Sequence, residues 1–381
     1  MIHDAQTTQL GFLNGMAADT KHKFGFIVHC RSTKELRLAL ALYKRNPAGL
    51  LPEKALKQYC LTRGLIKDIF TFDTITSDKG IVCQGKAFCI FLTPDQFLEH
   101  QTYSTELVVK AARMAEAWGA EMIGLGAICA VVGSRGIEVA DNCTSAVTTG
   151  NSLTVYATVV QFERIMQRLE VDPLKHKIVI IGFPGSIGLA LTKILYRKGH
   201  KLVLVSRQKT AFLKKFLESL SAGNGEIEVT QDVESAIRMG RIILTATSSG
   251  RIIDQDRLLP GSVVFDIAQP KDVIYCRGGR QDVLIVDAGL ISLPRSTKKS
   301  YRYSGLEPQD IPSCLGETMT LTLEKRWERF SLGRELDLDK VEEIGRLSEG
   351  HGFVFDDFRT FQKPIASENF AATKKAMHKA V

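Results

Sequence analysis

Residues 177–207 read KIVIIGFPGSIGLALTKILYRKGHKLVLVSR. A β-branched apolar run is followed by a turn holding three glycines, then by a stretch at helical spacing, then by a second apolar run. Parallel neighbours cannot be joined by a tight turn and need a crossover of this length, usually a helix. Four further runs follow: EIEVTQD (226–232), IILTAT (242–247), SVVFDIA (262–268) and VLIVDAG (283–289), with the helix-like TAFLKKFLESLSAG (210–223) among the connections. The apolar runs are mostly continuous rather than alternating, as strands covered on both faces are. Six such strands predict a doubly wound, Rossmann-type dinucleotide-binding domain over residues 171–310.

Working outward, residues 24–170 form a less regular α/β unit, expected to hold the substrate. FGFIVHC (24–30) reads as a strand, and STKE (32–35) has the spacing of a capping box opening a helix. IFTFDTITSDKGIVCQGKAFCIFL (69–92) reads as two strands around a turn at 77–80, and TELVVKAARMAEAWG (105–119) as a helix leading into MIGLGAI (122–128). A long helix over 151–169 turns Leu153, Tyr156, Val160 and Leu169 toward a core. Residues 311–363 predict helices at about 313–330 and 339–349. In the second, Asp339 and Glu342 are spaced as a cap and Gly350 is suited to a left-handed stop. Residues 1–23 form an N-terminal extension, and the tail 364–381 is expected to be frayed, its charge serving solvation. The fold class is therefore α/β: an N-terminal α/β substrate domain plus a doubly wound Rossmann domain, with C-terminal helices packing back.

Composition narrows the partners. A chain of 381 residues with 44% hydrophobic and 24% charged residues has core material for two domains. No run of about 18 apolar residues exists, and the N-terminus lacks the pattern of a signal peptide, so a cytoplasmic location is expected. The eight cysteines are scattered without a CxxC pair, which predicts reduced thiols and no metal site. A net charge of +8 suits an anionic partner: nucleic acid, an anionic membrane surface touched peripherally, or an acidic carrier protein. Nucleic acid is disfavoured because no reading module or aromatic-basic platform is present.

The glycine turn assigns the cofactor. Gly182, Gly185 and Gly188, with Ser186 and Ile187 opening the helix, allow a backbone to approach a pyrophosphate at a helix N-terminus. At the end of the second strand an acidic residue would select NAD. Here stand Ser206 and Arg207, a hydroxyl and a planar cation that suit the 2′-phosphate of NADPH. Thr245, Ala246 and Thr247, ending the fourth strand, and Asp266, ending the fifth, complete the expected cofactor rim.

IPSCLGETMTL (311–321) places Cys314 where an apolar run at helical spacing begins. A free cysteine is most often a small buried hydrophobe. If Ser313 caps the helix, however, Cys314 lies in its first turn, where exposed N–H groups lower a thiol's pKa and stabilise an oxyanion. His29, at the end of the first strand, is a candidate general acid, although a histidine at an element end often only satisfies a backbone group; His351 follows the last helix. Gly124 and Gly126 (in GLG) and Thr149 and Asn151 (in TTGN) either line a substrate entry or permit tight packing. RSTKKSYRYSG (295–305), with Arg295, Lys298, Lys299 and Arg302, is either a solvated basic loop or a dock for an acidic carrier and its phosphopantetheine phosphate.

From FGFIVH (24–29) to GHGF (350–353) the sequence resembles the cyanobacterial-type long-chain acyl-[acyl-carrier-protein] reductases. The likeness rests on TTGN (148–151), the glycine turn, the SR at 206–207 and SCLGETM (313–319). FDIAQPKDV (265–273) and LTATSS (244–249) are similar to glutamyl-tRNA reductase. The family's acyl-accepting cysteine matches Cys314. The resemblance implies NADPH-dependent reduction of a long-chain acyl thioester, carried by acyl carrier protein or coenzyme A, to a fatty aldehyde through an acyl-cysteine. Two departures are the N-terminal extension and GFPGSIG, where the family usually has alanine and threonine in the turn. The competing readings are an amino-acid or shikimate-type NADP dehydrogenase, which would need a lysine or aspartate pair and no cysteine, and a non-catalytic NADP-binding module.

Overall fold

The computed structural model describes residues 21–42, 47–206, 210–220, 224–276, 279–298 and 309–379. Most of the N-terminal extension, Arg207, and Lys299 and Arg302 of the basic loop lie outside the described residues.

Two sheets organise the chain. The first has the order β2-β3-β1-β4-β5, formed by β1 His22–His29, β2 Ile66–Thr76, β3 Val82–Ile90, β4 Met122–Leu125 and β5 Ala146–Thr148. β2 and β3 pair antiparallel as a hairpin, and the other pairs are parallel. The second sheet contains the six predicted strands: β6 Lys177–Ile181, β7 Lys201–Val205, β8 Glu226–Thr230, β9 Ile242–Thr245, β10 Val263–Asp266 and β11 Leu284–Val286. Their order is β11-β10-β9-β6-β7-β8 and every pair is parallel, so the switch point lies between β6 and β9, beside the glycine turn.

The helix Asn151–Leu169 joins the two units by serving both cores. Leu153 and Ala157 belong to the first, and Val155, Phe162, Ile165 and Leu169 to the second. The helix Ser313–Leu323 follows the Rossmann unit in sequence but packs on β1, β4 and the joining helix. Its Leu315, Met319, Leu321 and Leu323 complete the N-terminal core, and each contributes about 1.5–3 kcal/mol by leaving water.

Several local expectations are corrected. The helix predicted to reach residue 330 ends at Leu323. The next runs Leu338–Gly350, is capped by Asp337 accepting from Asp339 N–H at 3.0 Å, and meets its left-handed glycine at Gly352 (φ +90°). The tail is not frayed: Ser367–His378 is a helix whose Phe370 and Met377 are buried in the Rossmann core, with the Arg168 guanidinium 3.7 Å from the Phe370 ring centre. Among the described residues no helix is long and apolar enough to cross a membrane.

Candidate active site

A cleft of about 440 Å3 lies between the two units, at the carboxyl ends of β6, β9 and β10. Its cofactor-side wall includes Gly182, Gly185, Ser186, Ile187, Ala246 and Thr247. Gly182 adopts φ +106°, and a Cβ there would stand 2.5 Å from the Ala246 carbonyl, so glycine is required on both counts. The helix Ser186–Arg197 begins after Gly185 with no side-chain cap, which leaves its first N–H groups open toward the cleft. A dinucleotide pyrophosphate fits that donor set.

The remaining predicted cofactor residues divide. Gly188 packs behind the turn, its would-be Cβ 3.0 Å from the Gly182 carbonyl. Ser206 is buried, donates its N–H to Thr230 O at 2.9 Å and is not on the cleft wall, where Val205 and Gln231 stand instead. Thr245 and Asp266 also lie off the wall. The Thr245 hydroxyl donates to Asp272 Oδ2 at 2.6 Å, and Thr247 N–H reaches the same oxygen at 3.0 Å. Asp266 accepts from Ala268 and Val273 N–H groups at 3.1 and 2.9 Å, while burial pushes its carboxyl up to about 6. Both acids therefore staple the 266–273 loop to the strand ends.

The opposite wall carries Cys314, His29, Gly126, Thr149 and Asn151. Gly124 does not reach it: a Cβ there would meet Thr318 Oγ1 at 2.0 Å, so this glycine serves packing against the cysteine helix. Asn151 Nδ2 donates to Ser186 Oγ at 3.1 Å and ties the substrate unit to the dinucleotide helix. His351 is remote from the cleft wall and bonds Glu324 Oε1 through Nε2 at 2.6 Å.

Cys314 is the second residue of its helix. Pro312, not Ser313, occupies the cap position, and no side chain caps the helix. Ser313 instead donates both its N–H (2.8 Å) and its hydroxyl (2.7 Å) to the Gly289 carbonyl, which fixes the helix start to the turn after β11. On the other side Gly150, at φ +73°, lies so close that a Cβ would stand 2.2 Å from Cys314 Cα. Burial, with the Glu317 carboxylate adding to it, pushes the Cys314 thiol up to about 11, against the nearby backbone N–H groups of Ala127, Leu315 and Cys314 itself, which favour the thiolate. The expected lowering by the helix start is thus overruled by desolvation. Alkylation of Cys314 in the ligand-free protein should accordingly rise roughly tenfold per pH unit from pH 6 to 10, because the thiolate fraction grows until the pH reaches the pKa. Peptide mapping after iodoacetamide pulses checks this, and a plateau near pH 7 would contradict it.

His29 has little freedom to act as an acid in this arrangement. Its Nδ1 faces the Cys30 carbonyl at 3.0 Å and must donate, and its Nε2 faces the Ile128 N–H at 3.4 Å and must accept. Burial lowers its pKa, so the ring is neutral.

Three polar features escaped the sequence reading. Glu317, one turn beyond Cys314, is fully buried and accepts from Leu153 N–H and Ser331 Oγ, each at 2.7 Å, and from Thr148 Oγ1. Burial raises its pKa against these bonds. Its signal was an acid inside an otherwise buried helical run. Lys271 and Asp287 line the cleft near Gly289, with Nζ 2.6 Å from Asp266 O and 3.4 Å from Asp287 Oδ1. Asp272 was visible in PKDV but had no recognisable partner there.

Residues 164–288 match the Shikimate / quinate 5-dehydrogenase family model. Aminotransferase PigE of Serratia sp. is 33% identical over 361 residues, covering 93% of this chain, which spans 42% of that protein. Long-chain acyl-[acyl-carrier-protein] reductase of Synechococcus elongatus is 24% identical over 297 residues, 74% of this chain and 85% of that one. Among solved structures, shikimate dehydrogenase from Aquifex aeolicus superposes with a TM-score of 0.35 and 16% identity, over 87% of this chain and all of that one. The family match over 164–288, together with a glycine turn and uncapped helix start that open onto the cleft, marks this part of the chain as an NAD(P)-binding domain.

Proposed function

We propose that the protein is an NADPH-dependent reductase that takes a long-chain fatty acyl group from a thioester onto Cys314 and releases the fatty aldehyde. The observation that carries this reading is Cys314 itself, set on the cleft wall with the glycine turn, at the start of a helix whose first N–H groups no side chain caps. The similarity to the Synechococcus acyl-carrier-protein reductase supports a thioester substrate.

In the first step the Cys314 sulfur, once deprotonated, forms a bond to the thioester carbonyl carbon. The N–H groups of Ala127 and Leu315 hold the oxyanion. The bond from that carbon to the carrier sulfur then breaks, and the carrier thiolate leaves and takes up a proton. NADPH, when bound at the glycine turn, supplies the hydride that brings the acyl carbon to the aldehyde level. Cys314 then departs from that carbon and regains its proton.

A dehydrogenase acting without a covalent intermediate makes no such adduct. Intact mass spectrometry after mixing with an acyl-carrier-protein thioester, in the absence of NADPH, should show one added acyl group on the Cys314 peptide. An unchanged mass would end the thioester reading. The net charge of +8 and the exposed Arg295 and Lys298 support an acidic carrier as partner, with coenzyme A as the smaller alternative.

The choice of NADPH over NADH rests on Arg207. Arg207→Ala should weaken NADPH roughly ten- to a hundredfold and NADH much less, because a charge-assisted contact to the 2′-phosphate is lost. Fluorescence titration of both cofactors measures this, and equal losses would remove Arg207 from that role.

A further inference from the structure

Two arginines on the cleft wall take no part in the chemistry above. Arg135 is half-buried at the end of the turn Val132–Arg135, with φ +58°, and Arg334 is exposed at the rim of the same cleft. Gly333 N–H donates to the Arg135 carbonyl at 3.0 Å, which holds the two segments side by side, and the Thr149 hydroxyl anchors the second of them through the Ser331 carbonyl. Arg334 lies 5.8 Å from the Phe212 ring, and Phe212 packs on Phe183 of the glycine turn at 6.3 Å. The pair therefore stands beside the start of the dinucleotide helix.

Among the described residues neither guanidinium meets a carboxylate. Arg31, on the same cleft wall, pairs instead with Glu35. Burial, and then the like charge of Arg334, lower the Arg135 pKa. A half-buried cation facing a second cation is costly unless an anion joins them. Guanidinium forks match phosphate oxygens in geometry as well as charge.

We propose that Arg135 and Arg334 form a phosphate clamp on the cleft wall, beside the glycine turn. Two ligands of the proposed reaction carry the group: the nicotinamide dinucleotide, and the phosphopantetheine arm of the acyl thioester. The second source rests on the reading of Cys314 as an acyl acceptor.

Arg135→Gln, Arg334→Gln and the double variant separate these cases. NADPH affinity is measured by fluorescence titration. Acylation of Cys314 is followed with decanoyl-coenzyme A and with decanoyl-N-acetylcysteamine, which lacks phosphate. The double variant should lose roughly ten- to a hundredfold in affinity for one phosphate-bearing ligand. Weaker NADPH binding assigns the clamp to the cofactor. A larger loss with the coenzyme A thioester than with the phosphate-free one assigns it to the substrate arm. The melting temperature of the ligand-free variants should hold or rise, since a like-charge contact is removed. Unchanged NADPH binding with equal behaviour toward both thioesters overturns the clamp, as does a lowered melting temperature with unchanged affinities. If neither thioester acylates even the unaltered protein, the thioester reading fails while the NADPH measurement still tests the clamp.

Discussion

Cys314→Ser is expected to bind NADPH as the unaltered protein does and to make no aldehyde, with acyl uptake reduced on the order of a thousandfold or more. A hydroxyl is a far weaker nucleophile than a thiolate at neutral pH, and the N–H groups of Ala127 and Leu315 cannot bring an alcohol into its range. Stability should barely change, because Cys314 is partly open to the cleft and a serine oxygen can use the same N–H donors. Were the thiol only core filling, the new hydroxyl would be unpaired and cost about 1–3 kcal/mol. Single-turnover aldehyde assays beside thermal melts part the two cases. Retained activity with a lowered melting temperature would remove Cys314 from the mechanism.

Gly150→Ala should damage both stability and catalysis. The added Cβ would fall 2.2 Å from Cys314 Cα and Cβ and 2.7 Å from its carbonyl oxygen, and φ +73° is a left-handed conformation that alanine resists. Overpacking and backbone strain together come to about 2–4 kcal/mol, a fall in melting temperature on the order of 3–5 °C for a chain of this length. Relief requires the cysteine helix to back away from the joining helix. A displacement of about 1 Å at a nucleophile costs on the order of a hundredfold in rate. Calorimetry and kcat/KM with an acyl thioester test the pair of effects, and a variant normal in both would show that the contact yields freely.

What could be read from the sequence was whatever is local. The strands β6 to β11 were legible because burial on both faces writes itself as continuous β-branched runs, and the glycine turn because its spacing is set within seven residues. Features settled by distant partners were not. Glu317 depends on Thr148, 169 residues earlier, and Ser313 was read as a cap because nothing beside it announces the Gly289 carbonyl that claims its hydroxyl. The Cys314 thiol illustrates the same limit: its helix position is a local fact and predicts an acidic shift, whereas desolvation belongs to everything packed around it. The tail was misread because its helix packs on the joining helix and on β11, both more than 80 residues away.

The cysteine helix also sets the order in which the chain can mature. The N-terminal core cannot close until Leu315 to Leu323 have been synthesised, about 150 residues after the joining helix is finished. At roughly 5–20 residues per second that interval is on the order of ten to thirty seconds. Until then the faces of β1 and β4 that the cysteine helix covers lack that cover, while the Rossmann unit is still being made. The long sequence separation also raises contact order, so spontaneous refolding should be slow for a chain this rich in helix. Because the segment that seals the first core is the one bearing the sulfur, a chain stopped before it lacks both a closed core and a nucleophile.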